Sequence, residues 1–126
     1  MILVDTSVLI GSFTGQQEVA PSVRMLLDRG EILVLPALAL YEWLRGPRIA
    51  EEIDLQETLF PSPAALTYGP REAAISAAIY RQVRRARGRE MDLAIAACAI
   101  AREIPLWTLN EKDFADIPGL TLAHIH

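Results

Sequence analysis

A chain of 126 residues with 52% hydrophobic and 22% charged side chains fits one compact domain and excludes a disordered or fibrous protein. The net charge of −4 argues against partners captured by overall basicity, and the single cysteine, Cys98, excludes an internal disulfide. The most apolar stretch, around residues 91–101, falls well short of the roughly 20 residues that span a bilayer, so no membrane is expected.

The opening MILV meets Asp5 with no basic segment before it, which is not the pattern of a signal peptide. With one buried-looking cysteine in LAIAACAI, a reducing cytoplasm is the simplest setting. Residues 2–4 predict a strand ending at Asp5, with Thr6 and Ser7 capping a short helix through Phe13. Gly15, Gln16 and Gln17 form a loop. Val23, Leu26 and Leu27 recur at helical spacing in residues 19–29, and Gly30 is suited to end that helix. A strand over 32–35 follows, and then a helix over 37–45, bracketed by Pro36 and Gly46-Pro47 and carrying Glu42. A short polar helix near 48–54 leads to a weaker strand over 56–60, closed by Pro61-Ser62-Pro63.

Residues 70–86 predict a long helix. After Gly88, residues 90–103 predict a second one, apolar on most sides, with Asp92 near its start. A strand over 106–109 ends at Asn110, a turn or short helix over 111–116 contains Asp113, and a last strand covers 120–124. Strands separated by helices imply a single α/β domain over 1–126. Its expected architecture is three-layer α/β/α with a mostly parallel sheet of about five strands. No repeat, low-complexity tract or linker interrupts it.

Four acids interrupt or end apolar segments: Asp5 in MILVDTSVLI, Glu42 in ALALYEWLRG, Asp92 in EMDLAIAACAI and Asp113 in LWTLNEKDF. A carboxylate in such a place needs a cation, a donor network or a shifted pKa. Open parallel sheets bind ligands beyond the carboxyl ends of their strands, where Asp5 and Asp113 fall and which Glu42 and Asp92 can reach. Four converging carboxylates are hard oxygen ligands suited to Mg²⁺ or Mn²⁺, the ions of phosphoryl chemistry. Each acid alone has a plainer role. Asp5 can cap the following helix, Asp92 suits a helix's first turn, and Asp113 is an ordinary turn residue. Glu42 resists such a reading, because its helix neighbours are apolar on nearly all sides.

Eleven of the twelve basic residues are arginines, and Arg81, Arg84, Arg85, Arg87 and Arg89 crowd into RQVRRARGR. Arginine's planar fork suits phosphate, so the run reads either as an RNA-binding patch or as a solvated helix end. His124 and His126 lie together at the end of the sequence and read as surface residues, which leaves no Ser-His-Asp or Cys-His set.

The segments LVDTSVLI, LYEWLRG, MDLAIAACA and WTLNEKDF followed by IPGL resemble, in order and over nearly the whole length, the motifs of PIN-domain ribonucleases. The likeness is to the VapC-type toxins of bacterial and archaeal toxin–antitoxin pairs, which consist of little beyond the catalytic domain. The resemblance implies a PIN-like fold in which Asp5, Glu42, Asp92 and Asp113 hold one or two Mg²⁺ or Mn²⁺ ions. It places Ser7, Thr108 and Asn110 at the supporting polar positions. It further implies hydrolysis of RNA phosphodiesters by metal-activated water, with Asp113 or Asp5 orienting the water, and it implies a homodimer restrained by a cognate antitoxin. Two departures are small. Cys98 stands where a threonine or small residue is common, and Glu90 adds an acid near Asp92 that is not taken as a ligand.

Rival readings are an RNA-processing PIN nuclease that is not a toxin, a phosphorelay receiver-like domain and an interaction module. A receiver lacks support because ETLF ends in no phosphoacceptor aspartate and Lys112, the only lysine, does not end an apolar strand. A phosphatase of the haloacid-dehalogenase type lacks the second aspartate of its DxD signature in DTS. An interaction module explains the apolar surplus but not four acids in apolar settings.

Overall fold

Ile2, Leu3 and Val4 are all buried, as expected of a strand covered on both faces. They form β1 (Ile2–Val4), the centre of a parallel sheet in a computed structural model that describes residues 1–15 and 19–125. Gln16, Gln17 and His126, read above as loop and surface residues, lie outside the described residues. β2 (Leu33–Val34) pairs with β1 through Ile2↔Leu33 and Leu3↔Val34. β3 (Leu106–Trp107) pairs on the other side through Leu3↔Leu106 and Val4↔Trp107, giving the order β2-β1-β3. Two single parallel bridges, Pro36↔Leu66 and Leu106↔Leu122, flank these strands. Among the described residues, five segments therefore lie side by side, of which three are strands.

The helices are α1 (Thr6–Phe13), α2 (Ala20–Asp28), α3 (Ala37–Arg45), α4 (Ala50–Leu59), α5 (Pro70–Gln82) and α6 (Glu90–Arg102). Short 3₁₀ turns occupy Ser62–Ala64 and Glu111–Asp113. α6 is the most buried helix: Leu93, Ile95, Ala96, Ala97, Cys98 and Ala99 are at most 1% exposed. Cys98 is a free core thiol whose pKa burial pushes up to about 11, consistent with an inert packing role. Trp43 on α3 packs edge-on against Phe13, which also meets Phe60, and the Arg48 guanidinium lies 4.0 Å from the Trp43 ring centroid. Arg102 at the end of α6 pairs with Glu72 of α5 at 3.2 Å and joins the two helices. Among the described residues, no helix is long and apolar enough to cross a membrane.

Several local expectations are corrected. Residues 56–60 are not a strand but the end of α4, with Phe60 at its C-cap. The segment AEEIDLQETL is rich in helix formers, and Glu52 starts the helix by accepting a hydrogen bond from the Ile49 N–H at 3.0 Å. Gln56 and Phe60 are its most buried positions, a spacing of one helical turn. The helix expected over 70–86 stops at Gln82: Val83 is extended, and Arg85 and Gly88 take positive φ of 53° and 88°. The last strand is reduced to one bridge, with Leu106 N–H donating to the Thr121 carbonyl and Ala123 N–H to the Leu106 carbonyl. α3 is not enclosed all round, because Tyr41 and Leu44 are 53% and 48% exposed.

All three strands run the same way, so their carboxyl ends share one edge. The chain moves to one side of β1 to make β2 and to the other to make β3. The crevice between those diverging crossovers therefore opens at the end of β1, where Asp5 stands.

Candidate active site

Asp5 is 4% exposed, and two hydroxyls hold its carboxylate. Ser7 Oγ donates to Asp5 Oδ2 at 2.9 Å and Thr108 Oγ1 donates to the same oxygen at 2.8 Å. Each hydroxyl also accepts from the backbone: the Leu109 N–H donates to Ser7 Oγ and the Asn110 N–H to Thr108 Oγ1, both at 3.0 Å. Each hydroxyl has one proton and both protons point at Asp5. The 3.3 Å approach of Ser7 Oγ to Thr108 Oγ1 therefore adds no further bond. This network also ends β3 at Trp107, two residues before the expected limit, because the next amides bond side-chain oxygens instead of a neighbouring strand.

Asp5 occupies the N-cap position of α1, yet its side chain makes no capping bond. Thr6 and Ser7 do not cap the helix either; both direct their hydroxyls at acids. Thr6 Oγ1 donates to Glu42 Oε1 at 2.8 Å, which ties the start of α1 to α3. Thr6 was expected only as a capping residue, and its place in DTS beside Asp5 was the available signal. Glu42 Oε2 also lies 3.5 Å from Arg45, an i,i+3 pair of small energetic weight because the arginine is exposed.

Asp92 lies in the first turn of α6, where the helix dipole favours an anion. Its carboxyl is nevertheless pushed up to about 6. Burial is the largest cause, followed by the like charges of Asp5, Asp113 and Glu42, with Arg89 opposing. Asp92 thus experiences all three other acids, as expected if the four face one space at the sheet edge. Asp113 ends the 3₁₀ turn Glu111–Asp113 and is exposed. Among the described residues, no three acid, histidine or cysteine side chains stand close enough to hold one ion. The charges of Asp5, Asp113 and Glu42 reach Asp92 without the acids forming a closed coordination shell.

The donor set fits a hard divalent cation: carboxylate oxygens, hydroxyls that fix Asp5, and mutual repulsion that a positive ion would relieve. Glu90 is turned away, its carboxylate accepting from the Gly88 N–H. Asn110 contributes its backbone N–H to Thr108, and its side chain position is exposed. Arg81, Arg84, Arg85 and Arg87 are exposed beyond α5 or near its end, whereas Arg89 is engaged. It pairs with Asp116 at 2.6 Å and donates to the Asp113 carbonyl at 3.0 Å. In the sequence nothing sets Asp116 apart from other surface acids. His124 is exposed and lies 2.7 Å from Glu111.

The family model of the PIN domain matches residues 2–120. Among solved structures, the chain is similar to one in VapBC2 of Rickettsia felis bound to a DNA fragment from its promoter. That match has 20% identity and a TM-score of 0.76, and it covers 98% of each chain. DNA-bound VapBC of Salmonella typhimurium is similar at 20% identity and a TM-score of 0.75, covering 97% of this chain and 96% of that one. A toxin–antitoxin complex of Klebsiella pneumoniae is similar at 24% identity and a TM-score of 0.69, covering 96% of both. No curated protein matches in sequence.

Proposed function

Because the chain belongs to the PIN-domain family, we propose that it is a metal-dependent endoribonuclease acting as the toxin of a toxin–antitoxin pair. The observation that carries this reading is the raised carboxyl of Asp92, caused in part by Asp5, Asp113 and Glu42 across one sheet edge. Asp5, Glu42, Asp92 and Asp113 are the side chains that would hold Mg²⁺ or Mn²⁺. When bound, the ion supplies Lewis acidity that activates water and offsets the charge that develops on the phosphodiester.

The remaining chemistry belongs to the chain. Ser7 and Thr108 fix the orientation of the Asp5 carboxylate by converging on Oδ2. Thr6 does the same for Glu42 through Oε1. Asp113, the exposed acid, or Asp5 orients the attacking water. The exposed Arg81, Arg84, Arg85 and Arg87 offer guanidinium groups to the RNA backbone near the start of α6, where Asp92 sits.

Support for the partners is of another kind. One of the similar solved structures is a toxin–antitoxin complex. An apolar groove of about 240 Å³ between α1, α2 and α4 is lined by Phe13, Val23, Leu27 and Leu59, a place for an antitoxin helix. The exposed Tyr41 and Leu44 on α3 suit a second copy of the chain. The cytoplasm is the proposed compartment.

Expression of the chain alone should arrest growth, and co-expression of its antitoxin should relieve the arrest. Asp5→Asn, which keeps the shape of the side chain, should remove the arrest while the protein remains folded. Growth unaffected by abundant, folded wild-type chain would replace the toxin reading with a housekeeping RNA-processing nuclease.

A further inference from the structure

The guanidinium of Arg89 gathers two stretches of chain, one at Arg84 and one at 113–116. Nη1 donates to the Arg84 carbonyl and to Asp116 Oδ2, both at 3.0 Å, while Nη2 donates to Asp116 Oδ1 at 2.6 Å and to the Asp113 carbonyl at 3.0 Å. The two bonds to Asp116 form the parallel fork that distinguishes arginine from lysine. The Arg89 side chain is only 21% exposed despite sitting in the run of arginines. All four of its Nη protons are engaged, so it is not a free guanidinium like its exposed neighbours.

The placement of the clamp matters more than its strength. Arg89 is the N-cap residue of α6, in the stretch of chain just before Asp92, and the carbonyl it grips is that of Asp113. Asp5 and Glu42 have their carboxylates held by hydroxyls. Asp113 is instead anchored through its backbone, on a 3₁₀ turn at the surface. The separation of Asp92 and Asp113 therefore depends on a side chain that spans from one to the other. Asp116 has two effects here: it fixes the plane of the guanidinium, and it offsets a positive charge that otherwise lies beside the acids. The guanidinium's pKa is raised chiefly by Asp116, with Asp92 and Asp113 adding to the effect.

We propose that Arg89, locked by Asp116, is a positioning residue that sets Asp113 against Asp92 for cation binding. The proposal rests on the metal-dependent reading given above. Loss of the clamp lets the Glu111–Asp113 turn drift. Loss of Asp116 alone does this too, and also frees the arginine to compete with the cation for Asp92 and Asp113. Groups that orient metal ligands typically contribute about 10- to 100-fold in metal affinity.

The test is direct Mn²⁺ binding by calorimetry to wild type, Arg89→Ala, Arg89→Lys and Asp116→Asn, each shown to be folded in EDTA. RNA affinity is measured in EDTA as a function of salt. The dissociation constant for Mn²⁺ should rise about 10-fold or more in Arg89→Ala and in Asp116→Asn, with Arg89→Lys between them and wild type because an ammonium cannot make the fork. The salt slope of RNA affinity should not change. If Arg89→Ala fails to fold, the other two variants decide. Unchanged Mn²⁺ affinity in folded variants overturns the proposal, as does a flattened salt slope with Mn²⁺ affinity intact, which would make Arg89 a phosphate contact. A wild-type chain that binds no Mn²⁺ overturns it as well. Wild type that binds Mn²⁺ but cuts no RNA would sink the ribonuclease reading instead, and the Mn²⁺ affinities would still decide the role of Arg89.

Discussion

Asp92→Asn should stabilise the metal-free protein while destroying its proposed activity. In the folded chain the Asp92 carboxyl is raised from 3.8 to about 6, first by burial and then by the charges of Asp5, Asp113 and Glu42. A folded-state pKa above the unfolded one means that the folded state holds the proton more tightly. Stability then falls as pH rises from about 4 to about 6 and stays lower above that range. The full difference corresponds to about 3 kcal/mol at roughly 1.4 kcal/mol per pKa unit. Because Asp92 is partly exposed, solvent screening reduces the expected effect to about 1–2 kcal/mol. Asparagine has nearly the same shape and no charge to repel. Thermal unfolding in EDTA at pH 7.5 should therefore show a Tm higher by about 3–8 °C in the variant, and the gap should close near pH 4, where wild type is protonated. Added Mn²⁺ should reverse the order by stabilising wild type more. A variant no more stable than wild type at pH 7.5, or a gap that does not change with pH, would refute the repulsion argument.

Three further outcomes are expected. Thr108→Val removes a donor to Asp5 and an acceptor for the Asn110 N–H; it should cost about 1–3 kcal/mol in unfolding free energy and depress cleavage, and Thr108→Ser should restore both. Arg84→Ala combined with Arg85→Ala should weaken RNA binding and reduce the slope of log affinity against log salt by about 1–2, as measured by titration at several salt concentrations. An unchanged slope would return those exposed arginines to a solvated loop. Gln56→Val should leave the helical circular dichroism of the protein intact, because residues 56–59 are helical; a rise in strand signal would contradict the placement of α4.

Much of the site was legible because its cause is local. An acid closing the apolar run of β1 can only sit at the sheet's carboxyl edge, and the same holds for the turn after β3. Ser7 and Thr108 were legible as polar companions, although their joint grip on one oxygen of Asp5 depends on bringing residues of β3's end beside α1, which no spacing encodes. Other features were hidden for distinct reasons. Arg89 looked like four similar neighbours, and only its fold position opposite Asp116 separates it from them. Residues 56–60 contain two apolar residues and a threonine, enough to suggest a strand, but the buried positions follow helical spacing. The long helix breaks at Val83 with no proline or glycine at the break, through a backbone turn at Arg85 that sequence propensity does not favour. The strand expected over 120–124 shrank to a single bridge at Leu122, and the opposite outer position is taken by a single bridge at Leu66, outside any expected strand.

The most direct measurement is cleavage of a panel of structured RNAs by purified, antitoxin-free chain with Mg²⁺ or Mn²⁺, run beside EDTA and Asp5→Asn controls. The expected result is cutting that requires the ion and is lost in both controls. No cutting of any RNA by a folded chain that binds the ion, or cutting that persists in Asp5→Asn, would contradict the assignment of these acids to a metal-dependent ribonuclease site.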